Sequence, residues 1–245
     1  MGPENVTDLY RRRHSAGWRE RLFRILNPPD LCLPDPAELK IDAPLGRWNL
    51  YIGGAGCFVD GYVNVDLFPL PGVTVAASAE RLPFRSNLFQ RVECDAVLEH
   101  VEDPEAVVAE IERVLSPGGY AHFVVPFCHP FHEYPRDYRR YTLDGLKQQA
   151  GGLEVIASGW RTGPTATLLV FVLEYVKAWL PWRPARVVAH GVLGWLFFPL
   201  RYLDVILRRS PRVGRIGNHC YVWARKNGQT ATLRSAPSLS APRGG

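Results

Sequence analysis

The chain has 245 residues, 47% of them hydrophobic and 22% charged, an ordinary globular composition with room for one α/β domain and a sizeable insertion. Its net charge of +5 comes mainly from arginines near the amino terminus and around residues 201–226. No basic and aromatic residues interleave as in a nucleic-acid reader, so no nucleic-acid partner is expected.

Cys32, Cys57, Cys94, Cys128 and Cys220 are odd in number and lack a Cys-x-x-Cys pair, which reads as buried thiols in a reducing, cytoplasmic compartment. Residues 4–26 predict a basic amphipathic helix. Trp18, Leu22, Ile25 and Leu26 share a face, while Arg12, Arg19 and Arg21 mostly lie elsewhere. Such a helix either packs over the sheet or a cleft, or rests on anionic lipid. Arg11, Arg12 and Arg13 are not followed by an apolar core and cleavage site, so no signal peptide is expected. Residues 28–45 hold five prolines and read as a linker wrapping the surface. Residues 1–47 thus form an extension ahead of a domain over 48–226.

Residues 48–52 predict the first strand, followed by Gly53, Gly54, Ala55 and Gly56. Glycines there let backbone approach a carboxylate, phosphate or ribose with no Cβ in the way. A second strand over 62–65 ends at Asp66, where a carboxylate can accept hydrogen bonds from both hydroxyls of a ribose. The dinucleotide fingerprint needs Gly-x-Gly-x-x-Gly and an acid about twenty residues later. Here the glycine pattern fails and the acid comes sooner, which weakens a nicotinamide reading.

Residues 73–126 read as strand, loop, strand, helix, strand. A strand over 92–98 nears its exit at Glu99 and His100. Asp103 offers an N-cap and Pro104 a first helical residue. Val107, Val108, Ile111, Val114 and Leu115 recur at helical spacing. Ser116, Pro117, Gly118 and Gly119 are expected to stop that helix before a strand over 120–125. This rhythm makes a crossover in a parallel sheet, where ligands sit beyond the carboxyl ends of strands. Glu99, His100 and the residues after Pro126 therefore share one rim.

Residues 153–160 and 220–226 resemble the sixth and seventh strands of a seven-stranded α/β family, which normally pair directly. Between them, 161–217 is an apolar helical insertion with runs at 166–180 and 187–200. Thr167, Glu174 and Lys177 form a thin polar stripe on the first run. The second run reaches only about 21 Å at ~1.5 Å per residue, short of a hydrocarbon core of ~30 Å. Arg201, Arg208, Arg209, Arg212 and Arg215 follow it and suit anionic headgroups. Two readings stay open: a lid packed on the sheet, or a hairpin lying in the membrane interface. Residues 227–245 read as a disordered tail.

Several linked motifs resemble the class I S-adenosylmethionine-dependent methyltransferases, closest to a small bacterial type. They are Ser78-Ala79-Glu80-Arg81-Leu82-Pro83-Phe84, Phe89-Gln90-Arg91-Val92, Val97-Leu98-Glu99-His100-Val101, and Arg113-Val114-Leu115-Ser116-Pro117-Gly118-Gly119. The run from His129 through Thr142 looks like a subgroup signature. The resemblance covers roughly residues 48–160 and 218–226. It implies a doubly wound, mostly parallel, seven-stranded Rossmann-like α/β sheet and the cofactor S-adenosyl-L-methionine. It further implies that Gly53, Gly54 and Ala55 face the methionine end and that Asp66 holds the ribose. Ser78, Ala79 and Glu80 would lie along the adenine, and Asp95 would approach the methionine amino group. Three positions depart from the pattern: Ala55 for glycine, Ser78 for an aspartate, and Gln90 for an aspartate. The serine forgoes a charge-assisted hydrogen bond of about 1.5–3 kcal/mol.

Methyl transfer from a sulfonium is an in-line displacement in which alignment is worth up to about 7–11 kcal/mol. A base is needed only where the acceptor is a hydroxyl, and His100, His132 and Asp137 are the candidates. His100 could instead hold its neighbouring loop. His129 and His132 are spaced as metal ligands sometimes are, but Pro130 and Pro135 deny them a helix and no third ligand is evident, so no metal is expected. The run after Asp137 is either a salt-bridged loop leading into a helix capped by Thr142, or an acceptor-binding loop. In the second case His129, Tyr138, Arg139 and Arg140 contact substrate, an arginine gripping a phosphate or carboxylate. The resemblance implies O-methylation of a glycan, glycolipid, secondary-metabolite or other small-molecule or lipid-linked acceptor by a cytoplasmic enzyme, peripheral at the inner membrane face if the hairpin docks on lipid. A catalytically degenerate binding protein and a nucleotide-linked oxidoreductase remain the alternatives.

Overall fold

The computed structural model describes residues 28, 31–32, 34–54 and 58–228. The amphipathic pattern at 4–26, Ala55, Gly56, Cys57 and the tail past residue 228 lie outside the described residues. Seven strands form one sheet: β1 (Asn49–Ile52), β2 (Val63–Asp66), β3 (Val75–Ala76), β4 (Phe89–Asp95), β5 (Leu115–Pro126), β6 (Glu154–Trp160) and β7 (His219–Arg225). Their order is β3-β2-β1-β4-β5-β7-β6. β3, β2, β1, β4 and β5 pair in parallel, and β7 runs antiparallel to both β5 and β6.

Side-chain alternation decides the two faces. Val92 and Cys94 of β4, Ala121, Phe123 and Val125 of β5, and Cys220, Val222 and Ala224 of β7 all enter the main core. That core is closed by α2 (Pro104–Val114), which buries Val107, Val108, Ile111 and Val114. The N-cap is as expected, with Asp103 accepting from the Ala106 amide at 3.0 Å. α3 (Leu143–Gln149) is capped by Thr142, whose hydroxyl accepts from the Gly145 amide at 3.0 Å. The opposite face carries Val124, Tyr221 and Trp223, packed against Ala43.

On that second face the linker does more than wrap. Its short helix α1 (Pro36–Leu39) brings Glu38, 1% exposed, onto the sheet. Trp223 Nε1 donates to the Glu38 carbonyl at 3.2 Å. His122 stacks on Trp223 at 4.1 Å between two carboxylates. Its Nδ1 is 2.6 Å from Glu93 Oε2, and its Nε2 faces Glu38 Oε1 at 3.1 Å as an ion pair rather than an aligned hydrogen bond. Arg91 Nη1 donates to the Ala43 carbonyl at 2.7 Å.

Three boundaries differ from expectation. β4 ends at Asp95, not near residue 98, because Ala96 turns to φ 53° and Val97 to His100 close a turn. Ser116 to Gly119 does not form a separate stop. It is the irregular start of β5, where Gly118 takes φ 77° and the register against β4 shifts. The insertion begins earlier and runs longer than its apolar runs suggest. It comprises α4 (Pro164–Ala178) and α5 (Arg183–Phe197), the latter continued by a 3-10 turn (Phe198–Tyr202) and α6 (Leu203–Leu207). Arg183–Leu207 is one helical stretch of 25 residues, about 37 Å at ~1.5 Å per residue. It is long and apolar enough to cross a membrane by length and composition, which overturns the argument from short length. Asp204, 1% exposed, fastens the hairpin by accepting from the Thr165 and Ala166 amides at 2.7 and 2.9 Å. Outside that anchor the hairpin displays large apolar side chains, with Trp179 72% and Trp182 74% exposed.

The His122 brace has a definite pH signature. Burial pushes its imidazole pKa down, but Glu38 and Glu93 overcome that and raise it above 6.5. A raised folded-state value stabilises below the unfolded value and is lost as pH rises through the folded one. Glu93 has the opposite sign: burial raises its pKa, but His122 and Arg91 bring it net below 4.5, so its contribution is lost in acid. Thermal melts from about pH 6 to about pH 9 should therefore show the stability advantage of wild type over His122→Gln shrinking as pH rises. A constant difference would remove the brace.

Candidate functional site

A cleft of about 570 Å³ opens beyond the carboxyl ends of β1, β2 and β4. It exists because the chain turns abruptly at each strand end. Gly53, at φ 81°, leaves β1 in a left-handed conformation, and a Cβ there would lie 2.1 Å from Val97 Cγ2. The Gly53 amide is held by the Val65 carbonyl at 2.9 Å, so backbone rather than side chain forms this wall. Asp66, 6% exposed, lines the cleft at the tip of β2. Its Oδ1 accepts from the Phe68 amide at 3.2 Å. Ser78 and Ala79 line a second wall, and Ser78 Oγ accepts from the Glu80 amide at 3.2 Å.

That second wall is clamped from below. Glu110 Oε2 accepts from the Leu82 amide at 2.8 Å. Arg113 donates to the Leu82 and Phe84 carbonyls while pairing with Glu110 at 2.7 Å. The two conspicuous motifs at 78–84 and 113–119 are thereby one mechanical unit.

Not every candidate faces the cleft. Gly54 and Glu80 are not among its lining residues, and Glu80 Oε1 instead accepts from the Asp103 amide at 3.3 Å. Asp95, expected near the methionine amino group, is turned to Arg161, whose Nη1 lies 2.7 Å from Asp95 Oδ2. Arg161 also reaches Glu38 at 3.4 Å, so Asp95 joins the brace across the second face. Tyr134 and Pro135 complete the cleft lining, and nothing in their spacing announces that role.

At the far rim His100 lines the cleft, and its ring meets His132 edge-on at 4.8 Å. His129 follows at 4.6 Å from His132 and 5.2 Å from His219. Glu99 lies beneath, fully buried, 3.7 Å from His100 Nε2 and 3.8 Å from His132 Nε2. Glu99 and His100, rather than His129, gather with His132, a grouping that spacing alone does not reveal. Glu99 raises the pKa of His132 against its burial. Burial lowers that of His129 and takes His219 down to about 3.

The 137–140 run is the salt-bridged loop. Arg140 grips both oxygens of Asp137, its Nη2 at 2.6 Å from Oδ2, and donates to the His129 and Pro130 carbonyls. Burial alone would raise the Asp137 carboxyl, but Arg140 overrides it and holds it at about 2. That suits an anchor rather than a base, and Asp137 Oδ2 accepts from the His132 amide at 2.8 Å. Tyr138 donates to Glu102 Oε1 at 2.7 Å, and Arg139 to the Glu102 carbonyl at 2.9 Å. All three side chains tie loops together and none lines the cleft.

Residues 64–123 match the model of a family described as a methyltransferase domain. The demethylmenaquinone methyltransferase of Renibacterium salmoninarum is 32% identical over 146 residues, 58% of this chain and 57% of that protein. The chain spans about half the length of the curated relatives it matches over more than 100 residues. Among solved structures, the [4+2]-cyclase SpnF superposes with TM-score 0.52 at 15% identity, covering 87% of this chain and 83% of that one. Haemonchus contortus phosphoethanolamine N-methyltransferase 2, in complex with S-adenosyl-L-methionine, gives 0.50 at 18% identity, covering 91% and 60%.

Sheet order and the antiparallel seventh strand give this chain the fold of the class I S-adenosylmethionine-dependent methyltransferases, and residues 64–123 match the methyltransferase-domain model within it. The cofactor of that class is S-adenosyl-L-methionine. The cleft fits it on its own terms, with a backbone wall that a Cβ would close, a buried carboxylate for a ribose, and small side chains where a purine ring needs room. The oxidoreductase alternative loses its basis, since the doubly wound dinucleotide order lacks this antiparallel seventh strand.

Gly53→Ala and Gly61→Ala separate steric from backbone effects. Gly61 has φ 79°, but its nearest neighbour to a new Cβ is 3.9 Å away, so that variant carries only the left-handed cost of about 1–3 kcal/mol. Gly53→Ala adds the clash with Val97. It should melt at a lower temperature than Gly61→Ala and bind S-adenosylhomocysteine more weakly. Equal behaviour in both measurements would contradict the close approach.

Proposed function

We propose that this chain transfers a methyl group from S-adenosylmethionine to a hydroxyl-bearing acceptor held at the His100 end of the cleft. The observation that carries this is the convergence of Gly53, Asp66 and His100 on one cleft at the strand tips. Bound S-adenosylmethionine supplies an electrophilic methyl on a sulfonium whose leaving group is already uncharged. The chain's own contribution is placement. Asp66 accepts from the ribose hydroxyls, the Gly53 backbone admits the methionine portion, and Ser78 and Ala79 flank the adenine. Fixing both reactants in line is the largest single gain available to such a site. The acceptor's proton leaves at the Glu99, His100 and His132 corner, from which His100 reaches the cleft.

The similarity to a demethylmenaquinone methyltransferase supports a quinone-class acceptor over the glycan or glycolipid first inferred. Reduced quinones carry ring hydroxyls, and deprotonating one makes both that oxygen and the adjacent ring carbon nucleophilic. The exposed apolar surface of α4 and α5, followed by Arg201, Arg208, Arg209, Arg212 and Arg215, supports delivery of an apolar acceptor from an anionic lipid surface. A glycan acceptor, methylated at oxygen, has no comparable support from the surface.

Calorimetric titration with S-adenosylhomocysteine and with NADH tests the cofactor. Binding of the first and not the second is expected. Asp66→Asn should weaken that binding at least about tenfold, the equivalent of ~1.4 kcal/mol. Turnover with methyl-labelled cofactor is then measured on a reduced naphthoquinone in anionic vesicles and on a free sugar. Label in the naphthoquinone alone is the predicted result. Binding without transfer to either would favour the degenerate alternative, and failure to bind S-adenosylhomocysteine would end the proposal.

A further inference from the structure

Glu99 presents an unusual problem. It is 0% exposed, and neither carboxylate oxygen has a hydrogen-bond partner among the described residues. Burying an unserved carboxylate is costly, and such groups are ordinarily paired, hydrogen-bonded or bound to a metal. The nearest imidazole nitrogens, His100 Nε2 at 3.7 Å and His132 Nε2 at 3.8 Å, are too distant to hydrogen-bond it.

Both imidazoles are held by their other nitrogen. His100 Nδ1 donates to the Arg136 carbonyl at 2.5 Å. His132 Nδ1 lies 3.3 Å from the Pro130 carbonyl and 3.5 Å from Asp137 Oδ2. Because a carbonyl only accepts, this tie places a proton on Nδ1 of His100, while its Nε2 faces Glu99. An imidazole fixed through one nitrogen by a carbonyl or carboxylate, with the other free, is the usual supporting arrangement of a metal ligand. The ligand atoms of Glu99, His100 and His132 all lie within 4.8 Å of one another. Tetrahedral ligands at ~2.0–2.2 Å from an ion stand about 3.3–3.6 Å apart, so a small inward movement of the two rings closes the site.

We propose that Glu99, His100 and His132 bind one divalent transition ion of the zinc class. Two imidazoles and one carboxylate suit such an ion rather than magnesium or calcium, which prefer oxygen. Three protein ligands leave an open position, the pattern of a catalytic rather than a structural site. His100 also lines the cleft, so that open position lies at the acceptor end. Resting here on the methyltransferase reading, the ion would polarise the acceptor hydroxyl and ease loss of its proton. The ion's binding itself does not depend on that reading. Asp137 and Arg140 act as positioning residues, holding the His132 loop in place.

The test is titration of chelator-stripped protein with Zn²⁺ by calorimetry and with Co²⁺ by visible absorption. One ion per chain is expected, with ligand-field bands of a low-coordinate nitrogen and oxygen site. Glu99→Gln and His132→Ala should each weaken binding by more than the ~10–100-fold that loss of a supporting group costs. The His132 side chain is 32% exposed on a loop, so that variant keeps the test valid if Glu99→Gln fails to fold. S-adenosylhomocysteine binding, read in parallel, reports folding of each variant. Its absence in wild type would count against the methyltransferase reading without touching the metal result. No ion bound by wild type, or ion binding unchanged in both variants, would overturn the proposal.

Discussion

The cleft depends on how closely β1 and β4 approach where both strands end. Ile52 pairs with Cys94, and one residue later the two chains must separate within a space that admits no Cβ. Gly53 solves this from one side by going left-handed, and Ala96 does so from the other at φ 53°. The Val97 methyl then occupies the place that a side chain on Gly53 would need. The opening created there lets buried Asp66 and the His100 corner face one ligand. Function in this chain is therefore a consequence of strand termination.

Around that opening, ion pairs act as fasteners rather than as ligand contacts. Arg113 with Glu110 holds the 78–84 loop, Arg140 with Asp137 holds the histidine loop, and Arg161 bridges Asp95 and Glu38. In the first two cases the pair also holds backbone groups, at Leu82 and Phe84 and at His129, Pro130 and His132. Surface ion pairs contribute little to stability. The Asp137 carboxylate is only 1% exposed, however, and removing Arg140 would strand its charge. The rim is thus pinned where the cofactor class needs a preformed site, and Glu99 is its buried carboxylate without a hydrogen-bond partner among the described residues.

Much of this was legible from residue pattern. The strand–helix–strand rhythm of 89–126 shows in a capping Asp103-Pro104 pair and in apolar residues at helical spacing, and both act locally. Asp66 and Gly53 are likewise readable, since a strand tip places them by period alone. What pattern cannot convey is which of two faces an alternating strand gives to a partner far away. The family resemblance implies Asp95 at the cofactor, but Arg161, 66 residues distant, turns it aside. Glu38 sits in a proline-rich stretch that looks like a wrapper, and only tertiary packing makes it a buried partner of His122. Glu99 stood in a recognised motif, but its isolation is a property of burial and cannot be counted from spacing. The second hairpin helix exceeds its apolar run because a 3-10 turn over Phe198–Tyr202 carries the helix on past residue 200.

The account stands on a nucleoside sulfonium lying between Asp66 and the His100 corner. A crystal structure of the chain with S-adenosylhomocysteine tests this most directly. The account predicts both ribose hydroxyls on the Asp66 carboxylate, the Gly53 backbone against the homocysteine portion, and the sulfur facing His100. A nucleoside bound elsewhere, or oriented with its sulfur away from His100, would contradict it.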